Sequence, residues 1–424
     1  MKEISFNMAQ TLAIAAILLY VGNVIKKHSS LLQRFFIPAP VVSGLICSLF
    51  VFVGRQSNLF EIKFDLTLQN FLMIAFFTTV GFMASLKLLA QGGIGVVVFL
   101  AAATGLVIFQ DIIGVTLAKV LGQHPLFGLL VGSVPLTGGH GTAGAFGTDI
   151  GLIIGNAIGG EDGARTVGFA AATYGLVMGC LIGGPVGRLL MKKHNLKGED
   201  NKAEDLAMEK EKEEGITEEK ILTAVILIAL AMGIGSYLPD LIHKFSLWIS
   251  EIAVKKGIFK EVGKGLKLPA YIGPMLIAAL FRNLGESTFK KPLPMKEIDS
   301  VGSIALSLFL SMALMTLQLY QLLALAGPML IILAVQTIFV ILYTYFVTYN
   351  IMNKIVSKYD ATVIVTGHCG FGMGATPTAI ANMEAFTSVN GFSTKAFFIV
   401  PLVGALFIDF TNAAVITFFM SMYS

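Results

Sequence analysis

Gly132-Ser133-Val134-Pro135-Leu136-Thr137-Gly138-Gly139-His140-Gly141-Thr142-Ala143-Gly144 and Thr366-Gly367-His368-Cys369-Gly370-Phe371-Gly372-Met373-Gly374-Ala375-Thr376-Pro377-Thr378 decide how this chain is read. Each lies in an apolar neighbourhood, yet each carries glycine and proline at a density that breaks a helix. Lipid cannot satisfy the backbone groups that such breaks expose. Broken chain therefore survives at membrane depth only where it is packed in protein or lines a wet cavity. The wider stretches 125–147 and 362–383 are too interrupted to be simple spans, and they read as re-entrant hairpins.

The rest of the chain supplies the membrane context. Of 424 residues, 55% are apolar and only 13% charged, against about 25% charged in an ordinary soluble domain. Unbroken apolar runs recur at 7–25, 37–54, 67–90, 94–121, 165–190, 220–242, 268–283, 300–324, 327–352 and 396–421. Runs of roughly 18 residues or more let a helix cross a hydrocarbon core about 30 Å thick, and helices satisfy their own backbone in lipid. The first run is a retained span, because the basic pair Lys26-Lys27 follows it instead of preceding it as in a cleaved signal peptide. Cys47, Cys180 and Cys369 show no paired spacing for a disulfide framework or a zinc site. The net charge of +4 carries no nucleic-acid footprint.

Residues 191–219, MKKHNLKGEDNKAEDLAMEKEKEEGITEE, form the one long polar segment and divide the chain nearly in half. Basic residues accumulate on the cytoplasmic side of a membrane protein. With ten crossings and the N-terminus outside, Lys26, Lys27, Arg34, Lys87, the central lysines, Arg282, Lys290, Lys291, Lys296, Lys354 and Lys358 face inward. Both termini then lie outside and the linker is cytoplasmic. The segment from Lys244 to Lys267 opposes this pattern. There Phe245, Ile249 and Ile252 recur at helical spacing near Trp248, as in an interfacial helix with snorkelling lysines.

Sequence elements recur between the halves. Ile37-Pro38-Ala39 matches Leu268-Pro269-Ala270, Phe76-Phe77-Thr78 matches Phe309-Leu310-Ser311, Gln110 matches Gln336, and Gly139-His140 matches Gly367-His368. The order is the same and the offset nearly constant. Five crossings per half, an odd number, would insert the second half upside down, an architecture found in secondary transporters. The expected fold is an all-α polytopic membrane protein of about ten transmembrane helices in two inverted five-helix repeats. Residues 1–190 form the first repeat and 220–424 the second, each with its hairpin.

Hairpins entering from opposite faces bring their tips together. Half-helix N-termini there aim amides at an anion, and free carbonyls with threonine hydroxyls suit a hard cation such as sodium. The substrate-facing set is Thr137, Gly138, Gly139, His140, Gly141 and Thr142 from the first hairpin, with His368, Gly370, Gly372, Thr376, Thr378 and Asn382 from the second. For the cation the set is Ser133, Gly374, Ala375, Thr376, Asp409 and Asn412. Against these stand plain packing roles: a histidine bonded to a neighbouring hairpin, or a hydroxyl bonded back to its own helix. Asp409 and Asn412 share a face of the last span, where an ionisable group is costly. Asp111, beside Gln110 in the fourth span, is a weaker claimant that could sit near the headgroups.

The sequence resembles the bacterial glutamate:sodium symporter family over essentially its whole length. The resemblance is carried by Ile37-Pro38-Ala39-Pro40-Val41, Gly138-Gly139-His140-Gly141-Thr142, Ala172-Thr173-Tyr174-Gly175-Leu176-Val177, Gly183-Gly184-Pro185, Ser307-Leu308-Phe309-Leu310 and Val335-Gln336-Thr337-Ile338-Phe339. Above all it rests on Gly367-His368-Cys369-Gly370-Phe371-Gly372 running into Gly374-Ala375-Thr376-Pro377-Thr378-Ala379-Ile380-Ala381-Asn382-Met383. It implies sodium-coupled uptake of L-glutamate through the bacterial inner membrane, with two re-entrant loops, a homodimer and an elevator-type movement. Sodium would be the coupling ion, with no other cofactor and no transition metal. Glutamate in place of another dicarboxylate, and sodium in place of protons, come from the resemblance alone.

Other classes fit less well. A channel would need a hydrated lane, and no ring or stripe of charge marks one. An intramembrane enzyme would need a nucleophile with a base, or a metal set. His140, His368 and Cys369 lack both His-Glu-x-x-His spacing and a third convincing ligand. No Gly-x-x-x-x-Gly-Lys-Ser/Thr loop is present for direct coupling to ATP.

Overall fold

The computed structural model describes residues 2–196, 217–255, 268–289, 293–317 and 319–424. The first half runs β1 (Lys2–Phe6), α1 (Met8–His28), α2 (Ser30–Arg34), α3 (Ala39–Gln56), β2 (Phe60–Phe64), α4 (Thr67–Met83), α5 (Leu86–Gln91), α6 (Gly93–Val120), α7 (Pro125–Leu130), α8 (Ser133–Leu136), α9 (Gly139–Ile154) and α10 (Gly160–Lys193). The second runs α11 (Glu218–Gly235), α12 (Leu238–Lys255), α13 (Ile272–Leu284), α14 (Met295–Met315), α15 (Leu319–Tyr343), α16 (Tyr349–Met352), α17 (Lys358–Phe371), α18 (Thr376–Asn390), α19 (Thr394–Leu406) and α20 (Ile408–Tyr423). A π-helical turn, Thr344–Thr348, joins α15 to α16.

Among the described residues, seven helices are long and apolar enough to cross a bilayer. The number is eight when α19 and α20, bent by 44° to each other, count as one broken span. Helices also occupy the other two expected spans, but they are short: α4 has 17 residues and α13 has 13, below the roughly 20 of a typical crossing helix. The reasons are local. Ser85 Oγ accepts the Leu88 N–H and starts α5, so the expected run 67–90 is cut at Ala84–Ser85. Asn283 at the end of α13 donates to the Ala84 carbonyl, which fixes both breaks together.

The fold is not purely helical. β1 and β2 form a two-stranded parallel sheet, with Lys2 opposite Phe60 and Phe6 opposite Phe64. Lys63 Nζ meets Glu3 Oε1 at 2.9 Å, and the Phe6 and Phe64 rings stack at 5.7 Å. The alternation in Phe60-Glu61-Ile62-Lys63-Phe64 is the strand signal that a reading for apolar runs passes over. Of the central charged segment, residues 197–216 lie outside the described residues, as do 256–267 of the basic segment after the sixth run, and Lys290 and Lys291. The described part of that basic segment is α12, whose Leu241, Phe245, Trp248 and Ile249 are exposed.

Helix packing separates two groups. In one, α1 packs on α3 and α11 on α13, while α14 lies against α3 and α4, and α13 against α4. Close approach explains the first two pairs. A Cβ on Gly22 would come 2.2 Å from the Ala39 carbonyl oxygen, and one on Gly235 would come 2.3 Å from Pro274, so neither position admits a side chain without the helices separating. The other group contains α6, the segments α7–α9, α10, α15, α17, α18, α19 and α20. Here α10 lies against both α9 and α17, and α6 against α15. Between the groups the main contacts are α9 with α14, α3 with α15, and α4 with α19 and α20.

Candidate functional site

Both broken stretches are helix–break–helix hairpins. The first enters as α7 and α8 and leaves as α9, turning at Thr137-Gly138-Gly139. Gly139 has φ +66, a left-handed conformation that side-chain-bearing residues rarely adopt. The second enters as α17, breaks over Gly372-Met373-Gly374-Ala375 and leaves as α18, with Pro377 in the first turn. There the missing N–H of proline costs nothing. The two turns touch: a Cβ on Gly139 would lie 3.4 Å from the Gly374 carbonyl oxygen.

Gln110 of α6 ties them. Its Nε2 donates to the Gly372 carbonyl at 2.7 Å, and its Oε1 accepts from the Thr137 hydroxyl at 2.8 Å. Gln336 of α15 donates in turn to the Gln110 carbonyl at 2.6 Å. All three side chains are buried. Neighbouring Asp111 is fully buried as well. Its Oδ1 accepts the Ser133 N–H at 3.0 Å and its Oδ2 the Ser133 hydroxyl at 2.9 Å, so it caps the short α8. Asn412 of α20 donates to the Ser133 carbonyl at 3.3 Å.

Beside the tips lies a cavity of about 330 Å³, within the size range of small-molecule sites. Thr137, Gly138, Gly139, His140, Gly141, Thr142, Gly374, Ala375, Thr376 and Asp409 line it, together with Phe36, Phe76, Phe77, Leu306 and Leu310 from the other helix group. The starts of α9 and α18 therefore both face one space. Unpaired amides and the positive end of the helix dipole at such termini favour an anion. Thr376 donates its hydroxyl to the Gly404 carbonyl at 2.7 Å, joining α18 to α19. Asp409 lies in the first turn of α20, just after the bend, and no hydrogen bond or ion pair from another described residue reaches its carboxylate.

Part of the predicted set stands away from this space. His368, Gly370, Gly372, Thr378 and Asn382 of the second hairpin do not line the cavity, and neither do Ser133 and Asn412. Asn382 Nδ2 donates to the Gly179 carbonyl at 2.8 Å and to the Thr366 carbonyl at 3.2 Å, which binds α18 to α10 and α17. A Cβ on Gly370 would meet the Ala379 backbone at 2.5 Å, so this glycine permits the two limbs to close.

The repeat register of the histidines needs correction. His140 follows the first tip, in the first turn of α9, whereas His368 precedes the second, in the last turn of α17. Matching Gly-His pairs thus sit on opposite limbs. His140 faces the cavity, with Nε2 3.0 Å from the Thr173 hydroxyl. His368 faces away, with Nδ1 2.9 Å from Thr348 of the π-helical turn and its ring edge-on to Phe99. Gln110 and Asp111 are the residues that the predicted set omits. Their signal was two adjacent polar side chains in the long apolar run 94–121.

The family model and the curated relatives match nearly the whole chain. Residues 4–392 match the family model described as sodium/glutamate symporter. The sodium/glutamate symporter of Haemophilus influenzae is 38% identical over 421 residues, covering 97% of this chain and 96% of that protein. The sodium/glutamate symporter of Escherichia coli is 39% identical over 416 residues, covering 97% of each. Among solved structures, a sodium proton antiporter from Methanocaldococcus jannaschii aligns over 98% of both chains at 13% identity with a TM-score of 0.36. With its apolar helices and two near-full-length relatives named as symporters, the chain is a multi-pass membrane transporter, not an enzyme, and it belongs to the sodium/glutamate symporter family.

Proposed function

We propose that this protein carries L-glutamate into the cell by sodium symport, with the solute held between the two hairpin tips. The observation that carries the reading is Gln110, whose single side chain bonds the turn of each hairpin beside one shared cavity. Substrate carboxylates lie against the amides that open α9 and α18 and against the hydroxyls of Thr142 and Thr376. Membership of the family supports glutamate and sodium as the transported pair.

The movement is an elevator-type alternating access. The helix group that carries the hairpins shifts against the group α1, α3, α4, α11, α13 and α14, which is the stationary, dimerising scaffold. The dense packing inside each group and the sparser contact between them support this division. So does the mirrored pairing of α1 on α3 with α11 on α13, which fits two inverted repeats making ten crossings. The distribution of basic residues supports a cytoplasmic central linker and both termini outside the inner membrane.

Labelled L-glutamate uptake into proteoliposomes tests this directly, with and without an imposed sodium gradient and with aspartate and citrate as competitors. Accumulation above the equilibrium level only with inward sodium is expected. Equal accumulation without sodium, or displacement by citrate in preference to glutamate, would overturn it.

A further inference from the structure

We propose that two membrane-embedded carboxylates divide the cations between them: Asp111, with Ser133 and Asn412, holds the sodium ion, and Asp409 meets the ammonium group of the amino-acid substrate. The inference rests on the symport reading above and assigns residues to its two cargoes.

Asp111 is 0% exposed and receives both of its hydrogen bonds from one residue, Ser133. No basic side chain among the described residues pairs with it. A carboxylate placed this way in a membrane protein is costly without a counter-charge and is a functional position by default. A second observation comes from the other side of the same serine. Asn412 is also 0% exposed and spends its amide N–H on the Ser133 carbonyl, while its Oδ1 finds no hydrogen-bond partner. A buried carboxamide oxygen left bare is unusual in a folded protein. The carboxylate, the serine hydroxyl and this oxygen are the hard donors that an alkali cation takes. Asp111 and Asn412 are joined through Ser133, all three residues are 0% exposed and none of them lines the cavity, which suits a bare ion and excludes an organic cation.

Asp409 has the opposite setting. It lines the cavity shared by both tips, where two helix N-termini already favour anions. An acidic side chain there repels a plain dicarboxylate. Glutamate differs from glutarate only by its ammonium group, and that group gives Asp409 an opposite charge to meet. The carboxylate therefore selects amino acids over dicarboxylates of the same length, by attraction to one and repulsion of the other.

The test is a double dissociation on the reconstituted full-length protein. Sodium response is read twice, as half-activation of L-glutamate uptake and as the rise in thermal midpoint on replacing choline by sodium without substrate. Selectivity is read as competition by glutarate at saturating sodium. Asp111→Asn keeps an oxygen for the Ser133 N–H but loses the charge; it is expected to raise the sodium half-activation at least about tenfold and to flatten the thermal response. Its selectivity should stay within about twofold of wild type. Asp409→Asn is expected to keep the thermal response to sodium and to lose about tenfold or more of the preference for glutamate over glutarate. Ser133→Ala and Asn412→Ala, which keep the Asp111 charge, should each weaken the sodium response and so cover a failure of Asp111→Asn to fold. An unchanged sodium response in these three, or unchanged selectivity in Asp409→Asn, overturns the assignment. A wild-type protein with neither sodium response would instead refute the symport reading itself.

Discussion

The two hairpins share a plan and differ in how their tips are held. The first is broken twice, after Leu130 and after Leu136, and its tip is held by side chains reaching from α6, with Asp111 on Ser133 and Gln110 on Thr137. The second is broken once. Its fourteen-residue entering helix is buried along nearly its whole length, and its tip is held through backbone carbonyls, Gly372 by Gln110 and Gly404 by Thr376. The first hairpin is thus an assembly of short pieces positioned by polar anchors, and the second is a rigid rod with a short open turn. Polar anchors inside a membrane bundle are worth most where the released groups would find no water. Loss of an anchor should therefore disturb the first hairpin more than the second.

Gln110 serves both and should give the largest effect. Gln110→Leu leaves the Gly372 carbonyl and the Thr137 hydroxyl unpaired, at about 1–3 kcal/mol each, and uptake at limiting glutamate should fall by about 10- to 100-fold or more. Next comes Gly139→Ala, which forces a side chain into the left-handed conformation at a cost of roughly 1–2 kcal/mol; half-saturation for glutamate should rise about tenfold. Thr376→Val removes one hydrogen bond of the second tip, a loss of about 1 kcal/mol, and half-saturation should rise about fivefold. The smallest difference separates the histidines. His140→Asn should raise glutamate half-saturation with little change in thermal midpoint. His368→Asn should lower the midpoint, because that ring packs on Phe99 and Thr348 away from the cavity. Uptake kinetics and differential scanning fluorimetry on the same preparations check all four.

How much of this was legible depends on whether the signal was local. Glycine and proline density sufficed for the helix breaks in both stretches, because breaking a helix is a property of the residues themselves. The lining of the first tip, Thr137 to Thr142, followed from position alone. The histidine register did not, since an identical Gly-His pair occurs before one break and after the other, and only the limb on which it falls decides where the ring points. Asp111 carries little local signal because its partner lies 22 residues away, at the start of a four-residue helix that no periodicity announces. The strand at Phe60–Phe64 and the early stop of α4 at Met83 likewise depend on partners distant in sequence, Lys2–Phe6 and Asn283.

The measurement closest to the central claim asks whether both tips guard one solute. In a background lacking Cys47, Cys180 and Cys369, Thr142→Cys and Ala375→Cys place one thiol on each hairpin facing the cavity. Reaction with a small, membrane-permeant maleimide should slow at both positions together when glutamate and sodium are added, and at neither with glutamate in choline. Protection of one thiol alone, or of neither, would mean that the tips do not enclose a common substrate site.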